Sequence, residues 1–147
     1  MTTTTSPANA RTLGLAHYAA RAVLESVLTR HGLGFQQQIV LRPLALAAGP
    51  LDGGQLAADT VAALKTDEDS VQGTIGELIA AGLVATDASE VRITDAGRAL
   101  YERIVNETSA ASGRIWGDIP DQDLLAAGRV LTLVAERANA ELATVAR

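Results

Sequence analysis

Between Lys65 and Arg92 the chain carries a set of side chains able to bond a nucleic acid. Lys65 and Arg92 offer positive charge to a phosphate. Ser70, Gln72 and Thr74 offer hydrogen bonds, and Gln72 is the one suited to a bidentate contact with adenine. Gly73 has no side chain, so a phosphate or another backbone could approach it closely. A second set, His17, Tyr18, Arg21, Arg42 and Trp116, has the chemistry of a small-molecule site. The guanidinium of Arg21 or Arg42 suits a carboxylate, and the ring of Tyr18 or Trp116 can stack on an aromatic ligand. Each of these also has a plainer reading. His17 and Tyr18 can cover a core edge, Trp116 can be a packing residue, and Arg92 can pair with Glu90 or Asp87 as an ordinary solvated ion pair.

Catalysis finds no comparable set. There is no nucleophile elbow and no paired His–acid motif, and Gly53-Gly54 stands alone rather than in a phosphate-binding loop. The expectation is a protein that is not an enzyme and needs no cofactor. With no cysteine and two histidines, a structural zinc site is not expected. The run Asp67-Glu68-Asp69 opens a helix, where acids complement the dipole, so it does not predict a metal site. No apolar run approaches the roughly 18 residues of a membrane span, and the start MTTTTSPANA lacks the basic and apolar blocks of a signal peptide. No membrane partner is expected, and the expected location is the cytoplasm.

These residues need elements to hold them. The chain has 147 residues, 48% hydrophobic but only 3% aromatic, so Leu, Ala, Val and Ile must build the core, which favours helices. Residues 1–10 are Thr-rich and read as a flexible tail. From Arg11 the spacing Leu13, Ala16, Ala20, Val23, Leu24, Val27, Leu28 predicts a long helix ending near Gly32. A second helix follows over 35–48, with Gln36-Gln37-Gln38 as a solvated start. Asp52 caps a third, with Gln55 at the capping-box position. Thr66 or Asp67 caps a fourth, which ends at Gly82 and turns Val71, Ile75, Leu78 and Ile79 to the core. Strands over 83–86 and 91–94 form a hairpin. Thr94 caps a fifth helix, and Pro120 opens a last one striped with Leu124, Leu125, Val130, Leu131, Val134 and Ala138. The fold class is mainly α with a small β-hairpin: a winged helix-turn-helix with long N- and C-terminal dimerisation helices. Its usual use is to place the second helix of the motif in the DNA major groove.

The order of elements resembles the MarR family of transcriptional regulators over about residues 13–142. The resemblance rests on Gly49-Pro50-Leu51, Ala81-Gly82-Leu83-Val84, Val91 to Arg98 (VRITDAGR) and Pro120 to Leu124 (PDQDL). It implies a single bacterial regulatory domain over 11–147, with a winged helix-turn-helix over 35–97 and dimerisation helices over 11–34 and 98–147. It implies a homodimer, two winged helices on palindromic duplex DNA, and in many members a small aromatic or phenolic effector, near which His17, Tyr18, Arg21, Arg42 and Trp116 would lie.

Charge departs from that pattern. Between Leu51 and Gly97 stand nine acids and two bases, a net −7, whereas the rest of the chain is +2. Groove-facing positions hold Asp69, Gly73, Gly76 and Glu77, and the family commonly carries Arg or Lys at the last three. The turn Asp87-Ala88-Ser89-Glu90 is short and has no basic tip. Duplex affinity depends largely on counterion release by basic contacts, which such a surface opposes. The alternative expectation is therefore a degenerate winged-helix dimer that acts as a ligand-binding or protein-interaction module without ordinary DNA readout.

Overall fold

The computed structural model describes residues 6–146. They divide into two compact units, the first running to Ala111 and the second beginning at Ser112. The chain is mostly helical with one small antiparallel sheet.

The first unit opens with α1 (Ala10–Arg30). Asn9 is its cap: the side chain accepts from Arg11 N and Thr12 N, and Thr12 Oγ1 accepts from Asn9 N. The first five residues of the predicted tail lie outside the described residues. Gly32, at φ +68°, closes the helix, with Leu33 N donating to Leu28 O. α2 (Phe35–Leu46) stops two residues short of the expected end, because Ala47 already has an extended backbone before Gly49-Pro50.

A strand that the sequence reading lacked, β1 (Leu51–Asp52), comes next. α3 (Gly53–Leu64) starts on the Asp52 carboxylate, which accepts from Gln55 N. The capping box is not closed, since the Gln55 side chain donates to Asp59 Oδ1 instead. α4 (Glu68–Ala80) starts on Asp67, which accepts from Ser70 N. It ends at Gly82, φ +75°, with Leu83 N donating to Leu78 O and Gly82 N to Ile79 O. That paired closure satisfies carbonyls the helix would leave bare. β2 (Val84–Asp87) and β3 (Glu90–Ile93) form the hairpin. β3 is central, flanked by β1 and β2, so the wing is a three-stranded sheet rather than the expected two-stranded hairpin. Leu51 pairs with Val91, and Val84 with Ile93.

α5 (Asp95–Trp116) starts at Thr94, whose hydroxyl donates to Gly82 O and accepts from Gly97 N. Gly97 is required there, because a Cβ would lie 2.1 Å from Leu83 O. The core joins Leu28 of α1, Val40, Leu41 and Leu44 of α2, Leu56 of α3, Val71 and Leu78 of α4, the strand residues Val84 and Val91, and Ile104 of α5. Ile79 was expected inside but is 41% exposed. The buried arc of α4 is Val71, Thr74, Ile75 and Leu78, and the next residue lies about 100° further round the helix, past its edge.

The second unit contains the end of α5 and then α6 (Asp121–Val145), which starts behind Pro120. None of the residues of α6 is buried.

Candidate nucleic-acid interface

The exposed face of α4 is set by what the opposite face buries. With Val71, Thr74, Ile75 and Leu78 inward, Asp69, Ser70, Gln72, Gly73, Gly76 and Glu77 are all exposed. Gly73 and Gly76 are bare: a Cβ at either would meet nothing within 4 Å. Thr74 does not share this face. It is 6% exposed, and its hydroxyl accepts from Gln36 Nε2 at 2.8 Å while donating to Ser70 O.

The same amide of Gln36 reaches Ser70 Oγ at 3.0 Å, and Gln37 Nε2 donates to Glu77 Oε2 at 2.8 Å. The glutamine run expected as a solvated helix start is therefore the bridge from α2 to α4. Gln38 is buried, with no partner for its Oε1. Glutamine is equally at home on a surface, so residue type alone did not disclose these partners. Gln72 makes no recorded side-chain bond within the chain and is left as the exposed amide of the helix.

The basic groups are few. Lys65, in the left-handed conformation at φ 55°, donates its ammonium to Ala62 O at the end of α3. Arg92 is exposed on β3 and, among the described residues, pairs with no acid, so the ion pair with Glu90 or Asp87 does not form. It shares a cleft of about 190 Å³ with Arg98 of α5 and the 47–50 loop. Arg98 Nη1 donates to Ala45 O at 3.0 Å, tying α5 to the end of α2. The wing tip is Ala88-Ser89, with Ala88 at φ 54° and Asp87 and Glu90 paired on either side. It carries no base.

Of the expected ligand residues, His17, Tyr18, Arg21 and Arg42 lie in the first unit. Arg21 is held by Glu25, Nε to Oε1 3.0 Å, and its guanidinium lies 3.9 Å over the Phe35 ring. Phe35 was not singled out from the sequence; an aromatic at a helix start gives no sign of which cation will cover it. The rings of His17 and Tyr18 meet edge to face at 6.0 Å, with Tyr18 69% exposed. Arg42 is exposed on α2 and, among the described residues, is in no ion pair. Trp116 belongs to the second unit and is 56% exposed.

Elsewhere in the first unit, Glu107 of α5 takes Arg30 Nη2 at 3.0 Å and His31 Nε2 at 2.9 Å. The bond from Arg30, then that from His31, holds its carboxyl below the ordinary range.

Helix, turn, helix and a three-stranded wing define this unit as a winged helix-turn-helix. No protein-family model and no curated protein matches the sequence. Solved structures do. Ligand-free NadR is 25% identical, superposes with a TM-score of 0.74, and the match covers 90% of this chain and 98% of that one. NadR in complex with 4-hydroxyphenylacetate is 26% identical, with a TM-score of 0.65 and coverage of 87% and 95%. A MarR-family transcriptional regulator from Silicibacter pomeroyi is 26% identical, with a TM-score of 0.65 and coverage of 83% and 84%. The chain is a MarR-like winged-helix regulator. Among the described residues no helix is long and apolar enough to cross a membrane.

Proposed function

We propose that this chain works as a cytoplasmic homodimer that binds duplex DNA and regulates transcription. In this reading residues 35–97 are the reading head, and 11–34 with 98–147 are dimerisation helices. The observation that carries it is the exposed face of α4, where Gln72 and Gly73 stand outward while Gln36 and Gln37 tie the helix to α2 through Ser70 and Glu77. A braced helix with an unobstructed face is what major-groove entry requires. Arg92, with no acid partner among the described residues, supplies a phosphate contact beside it, and Lys65 and Arg98 add charge at the edges. The dimer is supported by the likeness to MarR-family regulators and by the apolar residues of α1 and α6 that are exposed, Leu13, Val23, Leu131 and Val134 among them. A small aromatic ligand is part of the same reading, on the strength of the 4-hydroxyphenylacetate bound by NadR. The residues we assign to it are His17, Tyr18, Arg21, Arg42 and Trp116.

A second reading has its own observation. The acids Asp67, Glu68, Asp69, Asp87 and Glu90 are all exposed on α4 and the wing, and such a surface suits a basic protein partner better than phosphate. Retardation of fragments from the source genome by the full chain separates the two. DNA reading predicts specific fragments retarded in excess competitor, and loss of that specificity in Gln72→Ala with overall weakening in Arg92→Ala. Retardation indifferent to both substitutions contradicts it.

A further inference from the structure

An apolar cleft of the first unit has no residue in common with the ligand set expected from the sequence. It lies between α2 and α3, with Ile39, Pro43, Leu51 and Leu56 as its walls, and its volume is about 350 Å³. Sites for small molecules begin at about that size and have this make-up, an apolar body with a few polar groups that fix orientation. Besides the neutral Gln55 and Thr60, the charged groups here are of one sign. Asp52 and Asp59 line the cleft, and no Lys, Arg or His does.

Both carboxylates are half engaged. Asp52 Oδ2 accepts from Gln55 N, and Asp59 Oδ1 accepts from Gln55 Nε2. Among the described residues the second oxygen of each accepts no hydrogen bond and neither acid is in an ion pair. Gln55 thus holds two acids one helical turn either side of it, and both line the same cleft. Such a site attracts a protonated amine at the end of an apolar body, because each free oxygen accepts a charge-assisted bond. It repels a carboxylate, which would bring a third negative charge to the two already there.

We propose that this cleft binds a small ligand with an aromatic or branched apolar body and one protonated amine. The ammonium sits at Asp52 and Asp59, and the body lies against Ile39, Pro43 and Leu56. The ligand class is thus opposite in charge to the carboxylate that Arg21 or Arg42 would take. The site lies on α3, the first helix of the helix-turn-helix, so its occupant touches the element that leads into α4. The proposal holds whether or not α4 reads DNA.

Titration of the full chain with phenethylamine and, separately, phenylacetate, followed by calorimetry and amide chemical shifts, tests it. The expected result is saturable binding of the amine, shifts clustered on α2 and α3, and at least tenfold weaker binding of the acid. Asp59→Asn keeps an acceptor for Gln55 and should weaken the amine several-fold. Ala63→Phe, at the exposed edge of the cleft, should block it while circular dichroism stays unchanged. Equal or tighter binding of phenylacetate, amine binding untouched by both substitutions, or no binding of the amine at millimolar concentration would each overturn the proposal.

Discussion

The two units of this chain treat their apolar residues in opposite ways. In the first, the stripes of α2, α3, α4 and the wing converge, and Val40, Leu41, Val71 and Ile104 have no accessible surface. In the second, α6 carries Leu125, Val130, Leu131, Leu133, Val134 and Leu142, and every one is at least 43% exposed. Local sequence treats them alike, since both are amphipathic helices with apolar residues at three-and-four spacing. What differs is whether the chain itself supplies a covering surface. The winged helix does so, with short connections that fold neighbouring elements onto each other. A long terminal helix does not, and a second copy of the chain is the cover that the proposed dimer provides.

The strongest way to break that comparison is a charge on the uncovered stripe. Leu131→Glu places a carboxylate where the dimer would bury it, at a cost of roughly 3 kcal/mol or more. Light scattering should then report a monomer, or unfolding, where the proposal expects the parent to be a dimer. An unaltered dimer would remove Leu131 from the interface. Next comes the covered unit. Gly97→Ala puts a methyl group against Leu83 O and should lower stability by about 1–3 kcal/mol, read as a lower Tm with little loss of helicity. A neutral result would mean that α5 and the 83–84 segment are less tightly opposed than they stand here.

A third test sharpens the contrast within the winged helix, between its shape and its charge. Gly76 faces open space and Glu77 is exposed, so the double variant Gly76→Arg, Glu77→Arg adds four cations per dimer. Nonspecific duplex affinity at low salt should rise about tenfold or more, with a steeper salt dependence. Unchanged affinity would show that α4 does not face DNA.

The smallest effect concerns Glu107. Its carboxyl is held below the ordinary value of 4.5 by Arg30 and His31, so the folded state binds its proton less readily than the unfolded chain. The stability it contributes is present above that ordinary value and is lost as pH falls through the lowered one. Thermal unfolding from about pH 7 to about pH 3 should therefore show a gap between the parent and Glu107→Gln that closes at the acid end. A constant gap would assign Glu107 a packing role only.

How much of this was readable in the sequence depends on the range of the forces involved. Caps act over three residues, so Asp52, Asp67, Thr94 and Gly82 marked helix ends correctly from residue type alone. The strand Leu51–Asp52 was invisible, because two residues become a strand only by pairing with Glu90 and Val91, far along the chain. Gln36 and Gln37 looked like surface for the same reason: their partners Ser70, Thr74 and Glu77 lie on another helix. The acidic character of the reading face needed no structure, since charge is a sum over residues. The pairing of Asp52 and Asp59 at one cleft did need it, because it depends on how α3 packs against α2.

The salt dependence of duplex binding by the unmodified chain tests the central claim most directly. In the proposed dimer Lys65, Arg92 and Arg98 would give at most about six phosphate contacts, so log K should fall against log salt with a slope no steeper than about −5, from measurable binding at about 50 mM. No retained duplex at that salt would show that the winged helix has the shape of a DNA reader without its activity.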